Sequence, residues 1–233
     1  MKIAKLKKSI TLTGVIVFGA ASIATSTAYA KKGTEQDIQS SLDDVEASHL
    51  TFMREEEKLA RDVYLKFAEW YPDQPVFNTI ATRSEQTHTD TLRDKLDEYG
   101  LPDPNSDTNN LPDSIGVFTG EEWGWYFTKK FAALTAKGEY SELDALYVGA
   151  FIEELDMQDI AVCPHIMFES GYPESCGLQY TDEKGLQNAY KSLIDGSESH
   201  LRAFVGQIEA IRGVGNYEAQ YLSQEEVDAI LGR

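Results

Sequence analysis

Residues 53–64, MREEEKLARDVY, decide the fold prediction for this chain. Apolar side chains recur in this stretch every three to four positions, which is the period of an α-helix with one buried face. The pattern extends over about residues 46–70 and therefore predicts a long helix. Glu57 lies on the apolar face of that helix, so a carboxylate is predicted to point into the core.

The same period continues along the chain, and no β-hairpin pattern interrupts it. Long helices are predicted at about residues 75–99, 141–162 and 182–211, and shorter ones at about residues 119–137 and 224–231. Residues 101–118 are dense in Pro, Asn and Asp, which favours a loop. The predicted fold class is therefore all-α: a four-helix bundle with a long crossover, containing a short extra helix, between helices 2 and 3.

The 233-residue chain has a formal net charge of −18, which argues against a nucleic-acid partner because phosphate binding requires clustered Lys and Arg. Residues 1–30 combine a basic start, a short apolar stretch and the sequence Ala28-Tyr29-Ala30, as in a secretory signal peptide. An uncleaved membrane anchor is the alternative, but the apolar stretch is shorter than the ~20 residues that a span requires. We therefore predict a secreted or periplasmic protein with no membrane contact after cleavage.

Four segments are predicted from these features. They are a cleavable signal peptide (1–30), a flexible polar lead-in (31–45), the helical bundle (46–212) and a C-terminal tail with a short helix (213–233). Export places the chain in an oxidising environment, so Cys163 and Cys176 are predicted to form a disulfide. The alternative is a metal site that uses both thiolates with His165, although tetrahedral sites usually have closer Cys spacing.

Polar side chains interrupt the predicted apolar faces at one level of the bundle. Glu57 is joined there by Glu85 and His88 from helix 2, by Glu154 from helix 3 and by His200 from helix 4. Burying three carboxylates together without cations costs several kcal/mol each, or forces them to take up protons. Glu85 and His88 also form the Glu-x-x-His motif of di-iron helical bundles. The pattern predicts metal ions bound by these side chains.

An internal repeat relates the two halves of the predicted bundle. The aligned segments are residues 56–63 with 153–160 and residues 84–88 with 196–200. The repeat selects Glu154 rather than Glu153 as the ligand on helix 3, because Glu154 aligns with Glu57. It also pairs His88 with His200, as expected for a site on a pseudo-twofold axis.

Several stretches of the chain resemble a known family. They are MREEEKLARDVY (53–64), SEQTH (84–88), VGAFIEELDMQDI (148–160) and GSESHLRAF (196–204). On these stretches the chain is identified as a member of the ferritin-like superfamily, and specifically of the family named domain of unknown function 2202. Residues 57–64, E-x-x-A-R-x-x-Y, are also similar to the first metal-binding helix of rubrerythrins. This resemblance implies that Glu57 is a ligand and that Tyr64 donates a hydrogen bond to a ligand.

The chain departs from the six-ligand sites of such proteins at one position. A Glu-x-x-His motif is usual on both the second and the fourth helix, but Ser197 stands where the second Glu would be. Either one metal position is open or weak, or another acid supplies the missing ligand. The candidates for that substitute are Glu153, Asp156 and Glu198.

The resemblance implies a carboxylate protein with two iron ions, or one, or a Mn/Fe pair, which oxidises Fe(II) or reduces O₂ or peroxide, and the signal-peptide pattern of residues 1–30 predicts that it is exported. Mixed nitrogen and oxygen ligands suit Fe or Mn, with Zn as an alternative. The chain has no paired C-x-x-C motifs of the rubredoxin type, so catalysis would require an external reductant. Two other functions stay open: a non-catalytic metal-binding or structural bundle, and an interaction protein whose metal-free carboxylates are protonated or pair with Arg61 and Arg83.

Overall fold

Every regular element in residues 41–108 and 111–233, the part of the chain that the computed structural model describes, is helical. In chain order the elements are α1 (Asp44–Trp70), α2 (Pro75–Ile80), a π-helical turn (Ala81–Glu85), α3 (Gln86–Glu98), a 3₁₀ turn (Ser106–Thr108), α4 (Gly124–Gly138), α5 (Glu142–Ala161), α6 (His165–Glu169), α7 (Lys184–Arg212) and α8 (Gln224–Leu231). The all-α prediction is confirmed for these residues. The predicted signal peptide and residues 31–40 of the predicted lead-in lie outside them.

The long helical segments pack side by side. α1 contacts α3 and α5, and α7 contacts the same two helices, so the four helices form a closed ring. α2, the π-helical turn and α3 follow one another without a break, which makes residues 75–98 one segment of this ring. The bounds of the long segments differ from the predicted ones by at most two residues. The aromatic helix α4 begins later than predicted, at Gly124 rather than near residue 119.

The start of α1 corrects the predicted lead-in. The helix begins at Asp44 because the carboxylate of Asp43 accepts hydrogen bonds from the backbone N–H groups of Val45 and Glu46, both at 2.9 Å. Glu46 in turn accepts a hydrogen bond from the backbone N–H of Asp43 at 3.0 Å, which completes a capping box. Residues 44–45 therefore belong to the helix and not to a flexible lead-in.

α1 is buried around most of its circumference, because α4 and the loop before it also pack against it. The fully buried Lys58 and Arg61 both pair with Asp62, at 2.5 and 2.8 Å. Lys58 also donates a hydrogen bond to the carbonyl of Ser114 in that loop, at 2.9 Å. Arg61 also donates a hydrogen bond to the side-chain oxygen of Gln86, at 3.0 Å. This buried network connects the long crossover to the bundle and occupies Arg61.

Cys163 and Cys176 form the predicted disulfide, with their Cα atoms 4.9 Å apart. It closes the connection between α5 and α7, which contains the short helix α6 that the sequence did not predict. The side chain of His165, at the start of α6, is exposed. Within the described residues, none of the helices combines the length and the apolar character that a membrane span requires.

Candidate metal centre

The first group of candidate ligands joins α1 to the helical segment at residues 75–98. The carboxylates of Glu57 and Glu85 are each 1% exposed, and His88 is 8% exposed. His88 Nδ1 lies 3.2 Å from Glu57 Oε2 and 3.4 Å from Glu85 Oε2. The structure thus brings together the predicted ligands of the first two long segments.

The second group joins the same segment to α5 and α7. His200 Nδ1 lies 2.8 Å from Glu85 Oε1 and 3.3 Å from Glu153 Oε2. In each group one ligand atom from every member lies within 4.8 Å of the others, which is close enough to hold a metal ion. Glu85 belongs to both groups, because its two oxygens face different histidines. The two imidazole rings are 5.4 Å apart between centroids.

The local backbone explains how Glu85 and the histidines reach these positions. Glu85 is the last residue of the π-helical turn, a feature that occurs frequently at functional sites. The Oγ atom of Ser84, in the same turn, lies 2.6 Å from His200 Nε2. This contact orients the other ring nitrogen of His200, Nδ1, toward the carboxylates. On α7, Gly196 allows His88 to approach, since a Cβ there would be 2.5 Å from His88 Nε2.

Tyr64 contacts the second group. Its hydroxyl donates a hydrogen bond to Glu153 Oε1 at 2.6 Å and is fully buried beside the carbonyl of Gly149. This is the type of contact that the resemblance to rubrerythrins implied for Tyr64. The acid that receives the hydrogen bond is Glu153.

The choice of Glu154 over Glu153 was wrong. Glu154 is fully buried, but its carboxylate points to the C-terminal tail, where it accepts hydrogen bonds from the Tyr217 hydroxyl at 2.5 Å and from the backbone N–H of Tyr221 at 2.6 Å. The N–H groups of Gln220 and Leu222 also donate to Glu154 Oε2, both at 2.9 Å. Neighbouring residues on an α-helix are 100° apart, so an alignment that is one residue out selects the wrong face.

The missing ligand at Ser197 has a candidate substitute on α5. Ser197 Oγ donates a hydrogen bond to Asp156 Oδ2 at 2.6 Å, and Asp156 is 4% exposed. Asp156 Oδ1 and Glu57 Oε1 are buried and have no hydrogen-bond partner among the described residues. Buried oxygens without partners are costly unless a cation is bound. Glu198, by contrast, points to solvent and pairs with Arg202 at 2.8 Å.

The electrostatics of the metal-free cluster favour bound protons. Burial raises the pKa of Glu57 to about 8, against the opposing effect of His88, and burial also raises the pKa of Glu153 and of Asp156. Burial alone would lower the pKa of the histidines, but Glu57 and Glu85 raise the pKa of His88 to about 12. Metal ions can replace these protons as the compensating charge.

The histidine at the second group behaves in the same way. Burial opposes its protonation, but Glu153 and Glu85 raise the pKa of His200 to about 10. Glu85 is the exception among the acids: burial would raise its pKa, but the two histidines hold that pKa well below its usual range. The shared carboxylate is therefore the one that is ionised most readily.

The donor set could hold a metal ion at each of the two groups. Two imidazole nitrogens and three carboxylates converge, with Asp156 nearby and close enough to interact electrostatically with the other acids. Imidazole and carboxylate together suit Fe, Mn or Zn. Sequence reasoning missed Ser84, which contacts His200 on α7. Asp156, in contrast, is one of the three acids that the sequence offers as a substitute for the missing ligand, and it contacts Ser197 on the same helix, α7.

Comparison with known proteins matches this chain to relatives over the same region. The model of a family described as "Uncharacterized protein domain (DUF2202)" matches residues 46–233. "Uncharacterized protein MJ0754" of Methanocaldococcus jannaschii is 39% identical over 186 residues, which cover 80% of this chain and 86% of that protein. The crystal structure of hypothetical protein MJ0754 from Methanococcus jannaschii DSM 2661 is similar with a TM-score of 0.66 and 37% identity, over 82% of this chain and 94% of that one. The chain therefore belongs to the DUF2202 family.

Proposed function

We propose that this chain is a metal-binding protein with a dinuclear carboxylate site of the di-iron type. The observation that carries the proposal is the position of Glu85 between two histidines, with Oε1 2.8 Å from His200 Nδ1 and Oε2 3.4 Å from His88 Nδ1. A carboxylate placed in this way can bridge two ions. Each ion would also have one further acid, Glu57 at the first position and Glu153 at the second.

The arrangement of the helices supports the same proposal. The closed ring of α1, the segment at residues 75–98, α5 and α7 matches a ferritin-like four-helix bundle, in which ligands project inward from facing helices. The long crossover between the second and third long segments runs through α4. In this architecture Asp156 is the sixth donor, since Ser197 holds one of its oxygens and the other has no partner among the described residues.

Several side chains of the chain prepare the site for its ions. Tyr64 orients Glu153 through a hydrogen bond at 2.6 Å, and Ser84 orients His200. His88 and His200 must each lose the proton on Nδ1 before they can bind metal, and any proton on the neighbouring carboxylates must leave as well, so metal binding would release protons to solvent. When bound, two Fe(II) ions would supply the two electrons that reduce O₂ or peroxide, and they would themselves be oxidised to Fe(III).

The identity of the metal, the need for a reductant and the location of the protein are proposed from residues already described. Mixed imidazole and carboxylate donors favour Fe, with Mn or Zn as alternatives. Reduction of O₂ or peroxide also needs an external reductant, because the chain contains only Cys163 and Cys176 and these are paired in the disulfide. We place the protein outside the cytoplasm, on the basis of the signal-peptide pattern of residues 1–30 and that disulfide.

Elemental analysis of the purified mature chain tests the site. We expect one to two Fe or Mn ions per chain and a fall to background in Glu85→Gln, which removes the shared charge at nearly constant volume. His88→Ala is expected to have the same effect. Glu198→Gln is the matched control, because Glu198 pairs with Arg202 away from the cluster. Unchanged metal content in both site variants would rule the site out.

Oxygen consumption distinguishes the two candidate functions of a loaded site. Addition of Fe(II) to the metal-free chain under air is expected to consume O₂ in the native chain and not in Glu85→Gln. Binding of Fe(II) without O₂ consumption would instead establish the non-catalytic alternative, a bundle that uses the ions for folding or sequestration.

A further inference from the structure

A cavity of about 210 Å³ lies between α1, α4 and α5, on a side of α1 that the candidate metal centre does not use. Its walls are mainly apolar: Leu59 comes from α1, Tyr126 and Leu134 from α4, and Phe151 and Leu155 from α5. An engineered apolar cavity of ~150 Å³ holds benzene, so this volume is sufficient for one substituted aromatic ring. Apolar walls with a few polar groups are typical of small-molecule sites.

One buried acid lines this cavity. Glu56 is 5% exposed, and its Oε2 atom has no hydrogen-bond partner among the described residues. Asp159 is close enough to the Glu56 carboxyl group to interact with it, and Oε2 is the Glu56 atom that has no partner among the described residues. A buried oxygen without a partner calls for a donor, and a ligand hydroxyl is a donor that the cavity can accommodate.

Two lysines provide positive charge where the cavity opens. Lys137 is exposed and Lys130 is half-buried, and both line the cavity. Their ammonium groups lie over its aromatic walls, with Lys130 Nζ 5.1 Å from the centre of the Tyr126 ring and Lys137 Nζ 5.8 Å from that of Phe151. The cavity therefore has a carboxyl group at its buried end, aromatic walls and positive charge at its mouth.

We propose that this cavity binds a single-ring phenol that carries an anionic substituent. The ring lies against Tyr126 and Phe151, the hydroxyl donates to Glu56 Oε2, and the anionic end meets Lys130 and Lys137. The binding site does not require that the metal centre be loaded, and the proposal goes beyond the proposed function.

Titration calorimetry on the full mature chain with 4-hydroxybenzoate as the probe tests this proposal. Benzoate lacks the hydroxyl and is expected to bind about five-fold more weakly, which is the effect of one hydrogen bond. Phenol lacks the anionic end and is expected to bind about two- to five-fold more weakly, as for an exposed ion pair. No heat and no ligand-observed NMR signal with millimolar 4-hydroxybenzoate would overturn the proposal.

Variants locate the binding. Leu155→Trp fills the cavity from its wall and is expected to abolish binding, with circular dichroism as the check on folding. A second pair of variants leaves the core packing unchanged. Lys130→Ala is expected to weaken binding about two- to five-fold. Lys129→Ala is expected to leave binding unchanged, because Lys129 lies over Trp125 and does not line the cavity. Equal binding in Lys130→Ala and Lys129→Ala would place the probe elsewhere and overturn the proposal. Metal content of the same samples separates this outcome from a failure of the metal centre.

Discussion

Two neighbouring acids on α5 allow the structure of the cluster to be tested by a pair of nearly identical substitutions. Glu153 and Glu154 are both buried, at 2% and 0% exposure. Glu153 faces His200 at 3.3 Å, whereas Glu154 binds the C-terminal tail. Glu153→Gln and Glu154→Gln therefore make the same chemical change at the same depth, one inside and one outside the candidate metal centre.

The expected effect of Glu153→Gln is on metal affinity. The amide has no charge to offer a cation, although its carbonyl oxygen can still accept the hydrogen bond from Tyr64. Loss of a group that only orients a ligand costs about 10- to 100-fold in metal affinity, and loss of a ligand itself should cost at least as much. That range corresponds to about 1.4–2.7 kcal/mol of binding free energy. The stability of the metal-free chain should change little.

The expected effect of Glu154→Gln is on stability. The carboxylate accepts hydrogen bonds from the Tyr217 hydroxyl and from the N–H groups of Gln220, Tyr221 and Leu222. An amide has one acceptor oxygen, so at least one of these donors would face an NH₂ group. A hydrogen bond to a charged group contributes about 1.5–3 kcal/mol, and in a chain of this size 1 kcal/mol shifts Tm by about 2–4 °C. We expect Tm to fall by about 3–12 °C and the metal content to stay unchanged.

Both variants are compared with the native chain in two assays. Metal affinity is measured by anaerobic titration with Fe(II) or Mn(II) and elemental analysis, and thermal unfolding of the metal-free chains is followed by circular dichroism. The assignment of Glu153 to the cluster would be refuted if Glu154→Gln lost its metal while Glu153→Gln kept it.

Three further predictions follow from the cluster. Gly196→Ala is expected to displace His88 and lower the metal content, because the added Cβ would lie 2.5 Å from the His88 ring. Gly206→Ala on the same helix places its Cβ in open space and should leave the metal content unchanged. Elemental analysis checks both variants. In the metal-free chain the raised pKa values of Glu57 (4.5 to about 8) and His200 (6.5 to about 10) mean that the folded state holds protons more tightly. Its free energy of unfolding in urea should therefore fall as pH rises through these windows, by about 1.4 kcal/mol per pH unit for each proton. Removal of metal with a chelator should lower the unfolding free energy by about 2.7 kcal/mol relative to protein in 100-fold excess of metal over Kd, as measured in the same urea assay.

The sequence was sufficient to predict the long helices, because apolar side chains recur at the helical period in each. It also identified Glu57, Glu85, His88 and His200, which the structure brings together in two groups. These residues could be found because each interrupts an otherwise apolar face, and such a face on a bundle helix points to the shared core. The π-helical turn that positions Glu85 left no comparable signal, since it changes the hydrogen bonding of one turn and not the residue types.

The error at Glu154 has a physical cause in the environment of α5. This helix is buried on several sides, because it packs against α1, α4 and α7. An element buried on several sides has no single apolar face, so hydrophobic periodicity cannot choose between two adjacent acids. The tail that covers Glu154 comes from residues 217–222, which carry no helical pattern. A partner that is distant in sequence and irregular in structure could not be predicted from the period of α5.

The serine at position 197, where a glutamate is usual, is compatible with the proposed pair of ions. Glu153 and Asp156 are three residues apart on α5 and face the cluster together, just as Glu85 and His88 do from the opposite segment. Under the proposed function, α5 would supply the carboxylate that the resemblance places on α7, and the Ser197 hydroxyl donates to this carboxylate a hydrogen bond of 2.6 Å. Under the proposed function, a serine in place of the acid leaves Asp156 to act as the donor and holds it with a hydrogen bond. The substitution would then change which helix provides the donor and not how many donors the two ions would have.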